Sequence, residues 1–106
     1  MIKVSVMYPN TPGARFDIGY YATTHMPLVQ RLLGPACAYY SVDRGIASAG
    51  PGSSPPYVAM CHIFSESLDV FQAAMGPHAG TITADLPNFT DLRPLFQISE
   101  VLVGDR

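Results

Sequence analysis

The chain has 106 residues, 48% hydrophobic and only 13% charged, with a formal net charge of −2. Its six Lys and Arg are scattered singly and form no basic stripe, which argues against nucleic acid as a partner. No apolar run approaches the roughly 18 residues of a membrane span, and residues 1–20 lack the layout of a secretory signal.

The length suits one domain over residues 1–106. Residues 2–8 alternate, with Ile2, Val4, Val6 and Tyr8 on one face, and predict a strand. Pro9–Gly13 breaks it as a loop. Asp17 is the expected N-cap of a helix running to Leu33, with Phe16 as its hydrophobic staple and Gly34-Pro35 as its stop. Counting about 100° per residue from His25, the side chains of Ile18, Tyr21, Ala22, Leu28, Val29 and Leu32 all lie within about 60° of it. A stripe that wide faces a core, so the imidazole points inward and needs a hydrogen-bond partner or a function. Pro27 donates no N–H to the carbonyl of Thr23 and crowds it, so the helix should kink or restart beside the histidine.

Residues 36–47 predict a second strand, the Gly/Ser/Pro-rich stretch 48–56 a loop, and 57–64 a third strand. If those strands pair about residue 52, opposed positions sum to about 103. Cys37 and Cys61 are then too far apart for a disulfide, which fits reduced thiols in a cytoplasmic protein. Ser67 or Glu66 opens a second helix with Leu68, Phe71 and Met75 on one side. Gly76-Pro77-His78 interrupts it, and a helical piece resumes through Asp85. Residues 86–93 form a loop, and 95–103 predict a fourth strand.

This order, β-α-β-β-α-β, is the ferredoxin-like split unit, an α+β fold with a four-stranded antiparallel sheet and both helices on one face. The other face is left bare. In the third strand Tyr57, Ala59, Cys61 and Ile63 point one way and Val58, Met60, His62 and Phe64 the other, and neither set is polar enough for solvent. A second copy is the simplest cover, so the expected assembly is a homodimer through the open sheet face, a dimeric α+β barrel.

The string Tyr20-Tyr21-Ala22-Thr23-Thr24-His25-Met26-Pro27-Leu28, following a strand and a short loop, resembles the EthD family of dimeric α+β barrel proteins. Asn88-Phe89-Thr90-Asp91 followed by Arg93-Pro94 is similar to that family's Phe-Thr-Asp…Pro element before the last strand. The resemblance covers nearly the whole chain. It implies the fold, and a setting beside ethyl tert-butyl ether degradation genes. The wider superfamily spans cyclases, isomerases, cofactor-free monooxygenases and haem-degrading enzymes, so the resemblance leaves the reaction open.

Among candidate residues, His25 is either a general acid/base in a cleft between the first helix and the sheet, or a buried packing histidine. Tyr21 shares its face as a supporting donor or a core ring. His62 joins them if it faces the same cavity, and packs in the barrel interface if it does not. Glu100 stands in line with Phe96, Ile98 and Leu102, either as an orienting carboxylate or as a surface charge. Leu28 and Phe89 complete the expected substrate pocket. His78 is expected in solvent, and Asp91 and Arg93 as braces of the turn before the last strand.

Three distant histidines without paired spacing, and cysteines without a Cys-x-x-Cys partner, predict no metal site. Gly50-Pro51-Gly52 opens no helix, so no nucleotide cofactor is expected; a single histidine would suffice for haem. Three readings compete, one of them a purely structural small dimer whose histidine only packs. Another is cofactor-free acid/base chemistry (cyclase, isomerase, decarboxylase or monooxygenase type) on a small hydrophobic aromatic or lactone metabolite. The third is a non-catalytic holder of such a metabolite for an oxidative degradation pathway.

Overall fold

Four strands form one antiparallel sheet in the order β2-β3-β1-β4: β1 Ile2–Pro9, β2 Tyr39–Arg44, β3 Tyr57–Ser65 and β4 Leu95–Glu100. The computed structural model describes residues 1–104. Helical segments fill the two crossovers: α1 Ile18–Tyr20, a π turn Tyr21–His25 and α2 Met26–Leu33 in the first, α3 Leu68–Met75 and α4 Ala79–Asp85 in the second. This is the predicted α+β ferredoxin-like arrangement.

Register follows from the alternation. The β2–β3 hairpin pairs Tyr39 with Phe64 and Val42 with Cys61, the predicted sum. At its base, a Cβ on Gly45 would lie 2.0 Å from the Tyr57 carbonyl oxygen, so only glycine lets the loop close there. Both cysteines are free and buried. In the centre, β1 pairs with β3 so that Val4 meets Ile63 and Val6 meets Cys61. One sheet face therefore presents Val4, Val6, Tyr8, Ala59, Cys61 and Ile63 to the helices. The other presents Lys3, Ser5 and Met7 beside Met60, His62 and Phe64 and carries no helical layer.

The core lies between the sheet and the helices, where Tyr8, Tyr21, Met26, Cys61 and Phe89 are all at most 2% exposed. Burying Met26 or Phe89 contributes about 1.5–3 kcal/mol relative to exposure. Phe16 joins it as a ring partner of Tyr8, Tyr21 and Phe89, and its strand bridge to Thr90 ties the helix start to the last loop. Both main helical segments open on predicted caps: Asp17 accepts from the Tyr20 N–H (3.1 Å) and Ser67 from the Val70 N–H (3.2 Å).

Three expectations are corrected. The second strand starts at Tyr39 and ends at Arg44, because Gly34–Ala36 forms a 3-10 turn with Pro35 in its first positions. The last strand ends at Glu100, so Val101 and Val103 do not extend the sheet, and Leu102 and Val103 stand in solvent. The buried stripe of the first helix also rotates. Met26, Val29 and Leu33 are buried, whereas Ala22 is exposed and Leu28 and Leu32 are half-buried. The cause is the π turn. The Met26 N–H bonds back five residues to the Tyr21 carbonyl, and this wider turn shifts every later side chain around the axis. Pro27 then sits in the first turn of α2, where a missing N–H costs nothing. The helix does restart at His25, as the proline predicts.

Candidate functional site

His25 ends the π turn with its ring 3% exposed. Phe89 lies against it at 4.6 Å between centroids, and Tyr21 stacks nearly parallel at 5.7 Å. Its Nδ1 lies 2.8 Å from Oδ2 of Asp85, the last residue of α4. The other carboxylate oxygen, Oδ1, accepts from the Tyr20 hydroxyl and from Nδ2 of Asn88, each at 2.8 Å. Burial pushes the Asp85 carboxyl up, but the bonds from His25, Asn88 and Tyr20 outweigh it and hold the group below its ordinary value. Asp85 is therefore ionised at neutral pH. An ionised acceptor keeps a proton on Nδ1 and makes Nε2 the ring nitrogen that faces no protein partner. Among the described residues, Nε2 makes no hydrogen bond.

A cavity of about 510 Å³ opens beside that ring. Its walls come from the sheet (Val6, Ile63, Phe96), α2 (Val29) and the second crossover (Met75, Ile82), with His25, Tyr21, Tyr8 and Cys61 among the few polar groups. The volume is within the range of pockets that enclose small-molecule ligands. The Tyr21 hydroxyl is buried beside the Tyr8 hydroxyl and the Cys61 thiol, and among the described residues it makes no hydrogen bond of full geometry. Burial first, then the adjacent Cys61 thiol, keep this phenol far above its ordinary value. It stays protonated and keeps its O–H as a donor. Burial likewise pushes the Cys61 thiol up to about 11, so it is no thiolate nucleophile.

The expected site residues separate. His25 and Tyr21 line one cavity. His62 does not join them, since it lies on the opposite sheet face, where β3 alternation puts it away from Cys61 and Ile63. There its Nδ1 is 2.7 Å from Ser5 Oγ and its Nε2 is 3.3 Å from Asp43 Oδ2. Glu100 is exposed at the far end of β4, away from the cavity, on a separate groove with Lys3 and Phe64. Phe89 backs the histidine rather than lining the cavity, and Leu28 is turned off the lining by the π turn. His78 is half-buried rather than solvated. Asp91 does brace its turn, accepting from the Arg15 N–H at 2.9 Å.

Asp85, Tyr20 and Asn88 are the residues that sequence reasoning missed in this role. The only available signal was the spacing of Asp85 and Asn88 around Pro87, a weak one. No group of three or more metal-capable side chains occurs among the described residues, and no helix among them is long and apolar enough to cross a membrane.

Residues 14–93 match the EthD domain model. An EthD-like protein from Ralstonia eutropha JMP134 superposes with a TM-score of 0.95 at 51% identity, over 98% of this chain and 94% of that one. An ethyl tert-butyl ether degradation (EthD) family protein from Bacillus halodurans C-125 gives 0.67 at 21% identity, over 96% and 99%. HapK from Hahella chejuensis gives 0.54 at 17% identity, over 100% and 98%. These last two likenesses concern the fold. No curated protein matches the chain.

Proposed function

The chain belongs to the EthD family, and from that premise we propose that it is a small-molecule enzyme whose His25–Asp85 pair moves a proton. The observation that carries the reading is the geometry of His25, with Nδ1 held by an ionised carboxylate and Nε2 unbonded beside an apolar cavity. Nε2 takes a proton from an acidic C–H or O–H of the guest, and Asp85 stabilises the imidazolium that results. The Tyr21 hydroxyl donates to the oxygen on which negative charge develops. No step in this scheme calls for a cofactor. The guest is a small, mainly hydrophobic metabolite with one enolisable or phenolic oxygen.

A solvent-exchange assay tests this. 2-Tetralone and an unsaturated five-membered lactone are incubated with the protein in deuterium oxide, and loss of the acidic C–H signal is followed by NMR. The native protein should accelerate exchange, and His25→Gln or Asp85→Asn should lose about a hundredfold or more. The mostly apolar cavity also favours a second reading, a holder that binds such metabolites without chemistry. Binding without exchange, insensitive to His25→Gln, would select the holder.

We further propose a homodimer through the open sheet face, in a cytoplasmic setting that suits two free thiols. Met60 and Phe64 support the dimer, because these large apolar side chains occupy a face with no helical cover. Sedimentation should give about twice the 11.4 kDa chain mass; a monomer at micromolar concentration would contradict it.

A further inference from the structure

The cavity carries one more polar feature, and it is a charge. Arg93 lines the same cavity as His25 and Tyr21, yet it is exposed, so it stands where the cavity meets solvent. The turn it belongs to is already braced without it. Asp91 accepts from the Arg15 N–H, and Thr90 Oγ1 accepts from the Leu92 N–H at 3.0 Å while donating to the Arg15 carbonyl at 2.7 Å. Among the described residues, the Arg93 guanidinium makes no ion pair and no hydrogen bond. Among the described residues no Asp or Glu lines the cavity, and Arg93 is the one permanently charged group on walls that are otherwise mostly apolar.

Asp85, bonded to His25 Nδ1, does not line the cavity. An anionic group on a guest is drawn to the guanidinium at the mouth, which offers carboxylates a planar two-donor fork. From this arrangement we infer that the guest is an amphipathic carboxylate. Its carboxyl group sits on Arg93 at the mouth, its apolar body fills the cavity, and its neutral oxygen reaches Tyr21 and His25. The inference rests on the cavity being the ligand site and deepens it: Arg93 selects acids over neutral compounds of the same shape.

The test uses 6-hydroxy-2-naphthoic acid and its methyl ester, an anion and a neutral compound on the same ring system. Their affinities are measured by naphthalene fluorescence at neutral pH. The native protein should bind the acid about tenfold tighter than the ester, a charge-assisted contact at an exposed mouth being screened below its buried value. Arg93→Gln should remove that preference by weakening the acid and leaving the ester unchanged, and added salt should erode it in the native protein. His25→Gln should weaken both probes alike. Equal affinities in the native protein, or a preference that survives Arg93→Gln, would overturn the role of Arg93 while leaving the cavity as a ligand site. Failure of both probes to bind at millimolar concentration would overturn the ligand site and this inference with it.

Discussion

The two faces of the sheet each carry a histidine next to an aspartate, and the pairs are not equivalent. Under the helices, His25 and Asp85 meet at 2.8 Å with side chains only 4% and 13% exposed, and Tyr20 and Asn88 bind the remaining carboxylate oxygen. On the open face, His62 and Asp43 lie 3.3 Å apart with Asp43 55% exposed, and the second ring nitrogen is occupied by Ser5. The first pair fixes a tautomer and leaves one nitrogen for a guest. The second uses both nitrogens on the protein and has water as a competitor. Residue types alone do not make an acid/base site; burial, a satisfied carboxylate and one unused nitrogen do.

The largest expected contrast is in packing. Phe89 is fully buried and touches five other rings, so Phe89→Ala should cost about 3–5 kcal/mol in chemical denaturation. Phe64 on the open face is half-buried and stacks on Tyr39 at 4.2 Å. Phe64→Ala should cost about 1–2 kcal/mol, with any further loss depending on protein concentration as dimerisation requires. Equal, concentration-independent losses would erase the distinction between the faces.

Next come the carboxylates. Asp85→Asn leaves three donors competing for a neutral amide and should cost about 1–3 kcal/mol, besides its loss of exchange activity. Asp43→Asn should stay within about 0.5 kcal/mol. A reversal of that order would contradict the ranking of the two pairs.

Tyr21→Phe is expected to do the opposite. It removes a buried hydroxyl without a well-formed hydrogen bond, so the empty protein should keep its stability or gain up to about 1 kcal/mol while ligand affinity falls. Lower stability would mean that the hydroxyl is already satisfied.

The smallest effects are in pH. Asp85 is held below 3.8 in the folded chain, so its contribution is complete above that value and is lost as pH falls through the lower folded one. Burial chiefly, against the opposing pull of Asp43, holds His62 below 6.5. The unfolded chain then binds a proton first, and stability declines as pH falls from 6.5 toward the folded value. His62→Asn should flatten that upper window and leave the acid limb in place.

Much of the frame was legible because its signals are local. The period-two pattern and the Pro/Gly loop set the β2–β3 register, and Asp17, Ser67 and Pro27 mark where helices start or restart. The phase of the stripe after His25 was not, because it depends on a wider turn that a fixed rotation per residue misses. The face of His62 depends on the pairing of β1 with β3, strands that no tight turn joins. Had that register been known, Lys3 and Ser5 beside it would have marked the open face. Asp85 was the least legible, since the fold alone brings it to a histidine sixty positions away.

The central claim is that His25 holds its proton on Nδ1 against Asp85 and keeps Nε2 free beside the cavity. Nitrogen-15 NMR of the imidazole rings at neutral pH reads this directly. His25 should show a single Nδ1–H tautomer, lost in Asp85→Asn, with the Nε2 resonance moving when 6-hydroxy-2-naphthoic acid binds. A His25 protonated on Nε2, or one averaging freely between tautomers, would contradict it.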